Sequence, residues 1–274
     1  MIIDAHQHFW NPARGDYGWM DGPGLEAIRK PILPADMGPH LKKYNIDKTV
    51  LVQAAPSVHE TEYMLGLADA TPHVAKVVGW IDFESREDLK HLQRLAKHPK
   101  FSGVRPMIQD LPDAEWMHRK DVQWAFDAII DLDLTFDALG FPLHLEPFLR
   151  LLKRYPKMRI VIDHCMKPRI RDGAFDAWAE GIAKLAQETQ AFCKLSGLAT
   201  EAAQGWNIET LKPYMHHVIE VFGANRVMFG SDWPVLELNG SYDSWFQAAR
   251  LIAQPTDFKT IFGESAAQFY RITK

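Results

Sequence analysis

The chain has 274 residues, 47% hydrophobic and 24% charged, the balance of an ordinary globular protein long enough to bury a large core. A formal net charge of -4 gives no reason to expect nucleic acid or another polyanion as partner. No apolar run reaches ~18 residues, so no transmembrane helix is expected, and the only cysteines, Cys165 and Cys193, lack metal spacing and fit a reducing cytoplasm.

The chain opens on Met1-Ile-Ile-Asp-Ala-His-Gln-His-Phe-Trp10, which enters a strand at once, without the basic region or cleavage site of a signal peptide. Strand side chains alternate, so His6 and His8 share one side; a helix would set them about 200° apart. Two imidazoles ending a buried strand make half of a metal site. An irregular segment rich in proline and glycine follows, from Asn11 to about Pro39, so the first strand-to-helix loop spans about residues 9–40. Trp10, Arg14, Tyr17 and Trp19 lie in it, and a loop of that length in a compact domain is usually a lid or a binding loop.

A short helix is expected around Met37–Tyr44, a strand over Lys48–Gln53, a helix over Val58–Ala70 and a third strand over Ala75–Asp82. The pattern repeats as helix Glu87–Ala96, strand Phe101–Pro106, helix Asp121–Asp131 and strand Leu134–Leu139. Next come helix Leu145–Tyr155, strand Met158–His164, helix Phe175–Thr189 and strand Ala191–Ser196. Helix Ile208–Phe222, strand Arg226–Asp232 and two helices, about Tyr242–Ala253 and Asp257–Arg271, complete the chain. Eight apolar strands alternating with helices at steps of about 25 to 35 residues predict an α/β fold, a single (β/α)8 barrel over residues 1–274. A doubly wound open sheet would need a glycine-rich phosphate turn after an early strand, and none is present.

In such barrels the chemistry sits at the C-terminal strand ends. Those ends carry His6, His8, Gln53, Asp82, Arg105, Asp137, His164 and Asp232. Three histidines and an aspartate suit one divalent ion, zinc above all. Alternation places Ile160, Ile162 and His164 on one face, and Met228, Gly230 and Asp232 on one face. A buried guanidinium needs an anion, which makes Arg105 a substrate-facing candidate. Lys194 falls on the face of Ser196, pointing inward or snorkelling outward, and His144 follows the fifth strand closely.

Asp4-Ala-His6-Gln-His8-Phe-Trp10, Gly103-Val-Arg105, Ile162-Asp-His164-Cys-Met-Lys167-Pro168, Lys194-Leu-Ser-Gly197 and Phe229-Gly-Ser-Asp232-Trp-Pro234 together resemble the amidohydrolase superfamily, and within it the lactonase branch. The resemblance spans essentially the whole chain. It implies hydrolysis of a ring ester with Asp232 as general base, His164 and Arg105 assisting. In the mechanism expected from these residues, a single Zn2+ is held by His6 and His8 with His164 or Asp232. Arg105 ends strand four where two-metal members carry a lysine, and Asp137 stands near a position where they carry a histidine, so a binuclear centre is not expected. The branch also contains members that work without metal. The implied substrate is a small lactone of the L-fucono or L-rhamnono type, met by Trp10, Tyr17, Trp19 and Trp233 on its faces and by Arg14, Lys167 and Arg105 at its hydroxyls. Alternatives are a muconolactone or pyrone carboxylate, and non-oxidative decarboxylation by the same ligand set.

Overall fold

Eight parallel strands occupy the centre of the computed structural model, which describes residues 1–273: β1 Ile3–Gln7, β2 Lys48–Val52, β3 Val74–Gly79, β4 Phe101–Val104, β5 Thr135–Ala138, β6 Arg159–Ile162, β7 Phe192–Leu195 and β8 Val227–Phe229. Each pairs with the next in sequence order. The seam between β8 and β1 is closed past the end of β8, by a parallel bridge from Gln7 to Trp233. There Asp232 N–H donates to the His6 carbonyl at 2.8 Å and His8 N–H to the Trp233 carbonyl at 2.8 Å. Asp4 ties the same seam, accepting from Ser231 N–H at 2.8 Å and from the Tyr242 hydroxyl at 2.9 Å. The nearly closed ring is the expected (β/α)8 barrel.

Helices α1 Pro34–Tyr44, α2 Val58–Asp69, α3 Leu89–Leu95, α4 Gln123–Asp131, α5 Leu145–Arg154 and α6 Asp176–Glu188 cover its outside. The short α7 Leu198–Glu201, then α8 Ile208–Phe222, α9 Tyr242–Ile252 and α10 Ser265–Tyr270 complete it. In α5, Leu145, Phe148, Leu149, Leu151 and Leu152 are buried, while Glu146, Arg150, Lys153 and Arg154 face water. Each such buried side chain stabilises the fold by about 1.5–3 kcal/mol before conformational entropy is counted. The first loop is shorter than expected. Pro34 starts α1 instead of belonging to the loop, because proline suits the first helical position and Asp36 Oδ2 accepts the Leu33 N–H at 2.7 Å. The last predicted helix divides into a π-helical turn, Thr260–Glu264, and α10. At Gly263 in that turn a Cβ would stand 2.2 Å from the Met1 carbonyl, so glycine lets the turn lie against the first strand.

Two apolar clusters divide the core. Leu51, Val77, Phe136, Ile160, Ile162, Leu195 and Phe229 face the helices. Ile3, Ala5, Val50, Val52, Val78, Val161 and Met228 fill the inside of the barrel, with Phe269 and Tyr270 of α10 at its floor. The strands end earlier than the apolar runs suggest, β6 at Ile162 and β8 at Phe229. Ile160 and Ile162 therefore point outward while Val161 and Asp163 point inward, and strand alternation alone would send His164 away from the interior.

Candidate active site

Two local departures from regular strand geometry bring the histidines together. In β1, the three steps from Asp4 to Gln7 match two steps along β2, Thr49 to Leu51. This bulge re-aims the strand, so that Ala5 and His6 both reach the interior and His8 follows. After β6, His164, Cys165, Met166 and Lys167 all take left-handed backbone angles, with φ of 53°, 51°, 59° and 47°. A left-handed residue that is not glycine costs about 1–2 kcal/mol, so four in a row mark a strained turn held by its surroundings. This turn carries the His164 ring back over the barrel mouth. Ser196 fixes it there, 2.9 Å from Nδ1.

Asp232, itself at φ 58°, is the point of convergence. Its Oδ1 lies 3.2 Å from His8 Nε2, 3.6 Å from His6 Nε2 and 3.8 Å from His164 Nε2. All four side chains are buried. Burial alone would raise the Asp232 pKa, but the three imidazoles outweigh it and hold the carboxyl well below its usual range. Burial lowers His164 to about 4 against the pull of Asp232, and pushes His6 well below its ordinary value, with Lys194 adding to the effect. The centre at neutral pH is thus a carboxylate facing imidazoles, of which His6 and His164 are neutral.

The donor set fits a divalent cation. His8 Nδ1 is 2.8 Å from the Val52 carbonyl, which can only accept. In the neutral ring the proton is therefore on Nδ1, and Nε2 turns a bare lone pair toward Asp232 Oδ1 at 3.2 Å. Two acceptors at that separation call for a positive charge between them. His6, His8 and Asp232 place their ligand atoms within 4.8 Å of one another, and His6, Asp163 and His164 form a second such group.

Beneath these lies a buried charge layer. Lys194 Nζ is 2.5 Å from Asp137 Oδ2, 3.0 Å from Asp163 Oδ1 and 3.1 Å from His6 Nδ1. Tyr270 donates to Asp137 at 2.7 Å from below. Arg105 donates to Asp163 Oδ2 at 3.2 Å, lies 3.3 Å from His6 Nε2, and bonds the carbonyl and side chain of Gln53. Burial would raise the Asp163 pKa, but Lys194, His6 and Arg105 hold it far below its usual range. Asp163 has no strong signal in the sequence: it stood on the face assumed to point outward.

Above the centre is a cavity of about 280 Å³, lined by His8, Trp10, Trp19, Arg105, Lys167 and Asp232, with Ala54, Met107, Gln109, Asp110, Leu139, His164 and Val235. Ligand pockets run from ~300 to 1,000 Å³, so this one suits a small molecule. Trp19 is tied down through its indole N–H, which donates to the Ala54 carbonyl at 2.8 Å. Lys167 donates to Gln109 Oε1 at 2.6 Å. A larger open cleft beside Trp206, about 460 Å³, has no ionisable side chain in its lining.

Several candidates lie elsewhere. Arg14 turns outward to pair with Asp16 and cover Tyr63, because its loop folds back on α2. Tyr17 is buried against Trp10, and Trp233 against Phe9, its indole N–H bonded to Glu237; neither lines the cavity. Asp82 lies past the end of β3 and caps a turn by accepting from Glu84 N–H. His144 accepts from Phe141 N–H in a similar turn. Asp137 and Gln53 belong to the charge layer, not to the cavity wall.

The chain belongs to the amidohydrolase family, whose sequence model matches residues 3–272. It is 41% identical to a protein of Burkholderia ambifaria named L-fucono-1,5-lactonase, over 99% of this chain and 96% of that one. It is 28% identical to a protein of the same name from Burkholderia multivorans, over 98% and 96%. Among solved structures, an amidohydrolase from Burkholderia multivorans with bound zinc superposes with a TM-score of 0.93 at 29% identity, covering all of both chains.

Proposed function

We propose that this enzyme opens the ring ester of a small sugar-acid lactone of the L-fucono or L-rhamnono type by attack of water, with Asp232 as general base. The observation that carries the reading is a carboxyl group on the floor of a small cavity, 3.2–3.8 Å from three imidazoles, in a chain 41% identical to a named L-fucono-1,5-lactonase. A lactone needs an attacking water, help for the carbonyl oxygen and a proton for the departing ring oxygen. Asp232 takes the proton from water and returns it to the ring alkoxide. Its lowered pKa keeps it ionised at neutral pH. Arg105 lines the cavity with its charge fixed by Gln53 and Asp163, placed to face the developing oxyanion. Trp10 and Trp19 wall the ring, and Lys167, braced by Gln109, meets its hydroxyls.

His6, His8 and Asp232, with His164, would hold one divalent ion, and the three-nitrogen, one-oxygen set favours Zn2+. When bound, such an ion polarises the carbonyl and lowers the pKa of water. The zinc in the Burkholderia multivorans structure supports this assignment.

The test is acid release followed with a pH indicator on freshly made L-fucono-, L-rhamnono- and related sugar lactones. The native enzyme turns over at least one of them, and Asp232→Asn lowers turnover by ~10² or more. A folded Asp232→Asn protein with near-native turnover refutes the general base. No acid release from any sugar lactone, with carbon dioxide released from an aromatic acid, refutes the substrate class in favour of decarboxylation.

A further inference from the structure

The barrel mouth contains two overlapping sets of ligand atoms, not one. His6, His8 and Asp232 form the upper set, in which His8 and Asp232 line the cavity. His6, Asp163 and His164 form a second, deeper set, since Asp163 is wholly buried and outside the cavity lining. Both draw on His6, whose Nε2 lies 3.6 Å from Asp232 Oδ1 and whose Nδ1 lies 3.5 Å from Asp163 Oδ1. Their chemistry is similar, yet the upper set has two members on the cavity wall, His8 and Asp232, and the deeper set one, His164.

We infer that Lys194 decides between them: its ammonium holds the deeper carboxylate, and so confines a bound divalent ion to the upper set beside Asp232. Lys194 is wholly buried and cannot swing away. Its Nζ is 3.0 Å from Asp163 Oδ1 and 3.1 Å from His6 Nδ1, within reach of two donors of the deeper set at once. Arg105 occupies the other oxygen of Asp163 at 3.2 Å. A dication on Asp163 would stand against two fixed positive charges in a medium where charges are weakly screened. On the upper set it faces Asp232, whose ion-pair partners within 4 Å among the described residues are imidazoles, and Arg105 reaches that set only at His6 Nε2, 3.3 Å away. Asp137 holds Lys194 in place from below, at 2.5 Å. Lys194 is therefore a positioning residue for the ion. The inference rests on the metal-holding reading of His6, His8 and Asp232, not on the identity of the lactone.

Removing Lys194 alone leaves two carboxylates without their shared cation, so the working variant is Lys194→Met with Asp137→Asn, which removes one charge of each sign. Zn2+ affinity is measured by competition with a chromophoric chelator, with and without His8→Ala. In the otherwise native protein, His8→Ala weakens zinc by about 100-fold; in the double variant it weakens zinc by less than about threefold, because the ion has moved to Asp163. Equal weakening in both backgrounds overturns the inference. Anomalous diffraction from native crystals soaked in Zn2+ gives a second measurement that needs no variant. An ion bound by His8 and Asp232 agrees with the inference, and an ion on Asp163 overturns it. Native protein that binds no zinc overturns the metal reading and this inference together, while leaving the lactone assay unaffected.

Discussion

Glu60 sits one layer away from the chemistry, at the start of α2, and controls a wall of the cavity. It is fully buried and its two oxygens accept the N–H groups of Ala54 and Ala55, at 2.9 and 3.0 Å. Ala54 in turn lines the cavity and anchors Trp19. Burial raises the Glu60 pKa from 4.5 to about 7, and the two backbone bonds only partly oppose it. A carboxyl raised in the folded state binds its proton more tightly there than in the unfolded chain. Its contribution to stability is whole below pH 4.5 and is lost as pH rises through 7. At about 1.4 kcal/mol per pKa unit, the loss is about 3 kcal/mol. Glu60→Gln cannot ionise and removes that slope. Urea unfolding of both proteins between pH 4 and 9 isolates the effect, because Asp4 and every other titrating group cancels in the difference. The native protein should lose stability relative to Glu60→Gln by about 3 kcal/mol across that range. Difference curves that stay flat with pH would refute the assignment of a strained, buried carboxylate.

Gly197 has φ +69°, and a Cβ there would stand 2.6 Å from the His164 ring. Gly197→Ala should cost about 1 kcal/mol of backbone strain, displace the ring and cut kcat at least about tenfold in a folded protein; unchanged kcat speaks against His164 acting at the centre. Trp19→Ala removes a cavity wall and its bond to Ala54, and is expected to raise KM about tenfold with kcat largely kept; a fall in kcat alone contradicts a binding role. Stripping the protein with a chelator and restoring zinc at a hundred times its Kd should stabilise it by about 2.7 kcal/mol, a rise of roughly 5–10 °C in Tm. An unmoved Tm would mean that the folded protein holds no such ion.

The barrel was legible because each strand is an apolar run and each run ends in a polar residue, a signal that survives errors of two or three residues at the boundaries. His6 and His8 were legible from their spacing, although a bulge in β1, invisible in the sequence, is what turns His6 inward. His164 was reached by a wrong route. Alternation along an extended strand placed it with Ile160 and Ile162, whereas the strand stops and a left-handed turn reverses the face. The same reversal hid Asp163, and with it the anion that explains Arg105. Lys194 remained ambiguous because its orientation depends on Asp137, fifty-seven positions away, and on Tyr270 at the far end of the chain. The first loop misled at Arg14 and Tyr17, whose partners Tyr63, Asp16 and Trp10 draw them from the cavity.

The seam that shuts the barrel is made by the residues at its mouth. Asp232 reaches His8 across 224 positions, and its own amide fastens the ring to His6. The opening strand therefore waits, edge exposed, for nearly all of the remaining chain before either fold or centre is complete. A ribosome that stops short of residue 232 leaves neither a weaker enzyme nor a smaller one. It leaves an open sheet with two idle histidines, a species for proteases and chaperones to handle.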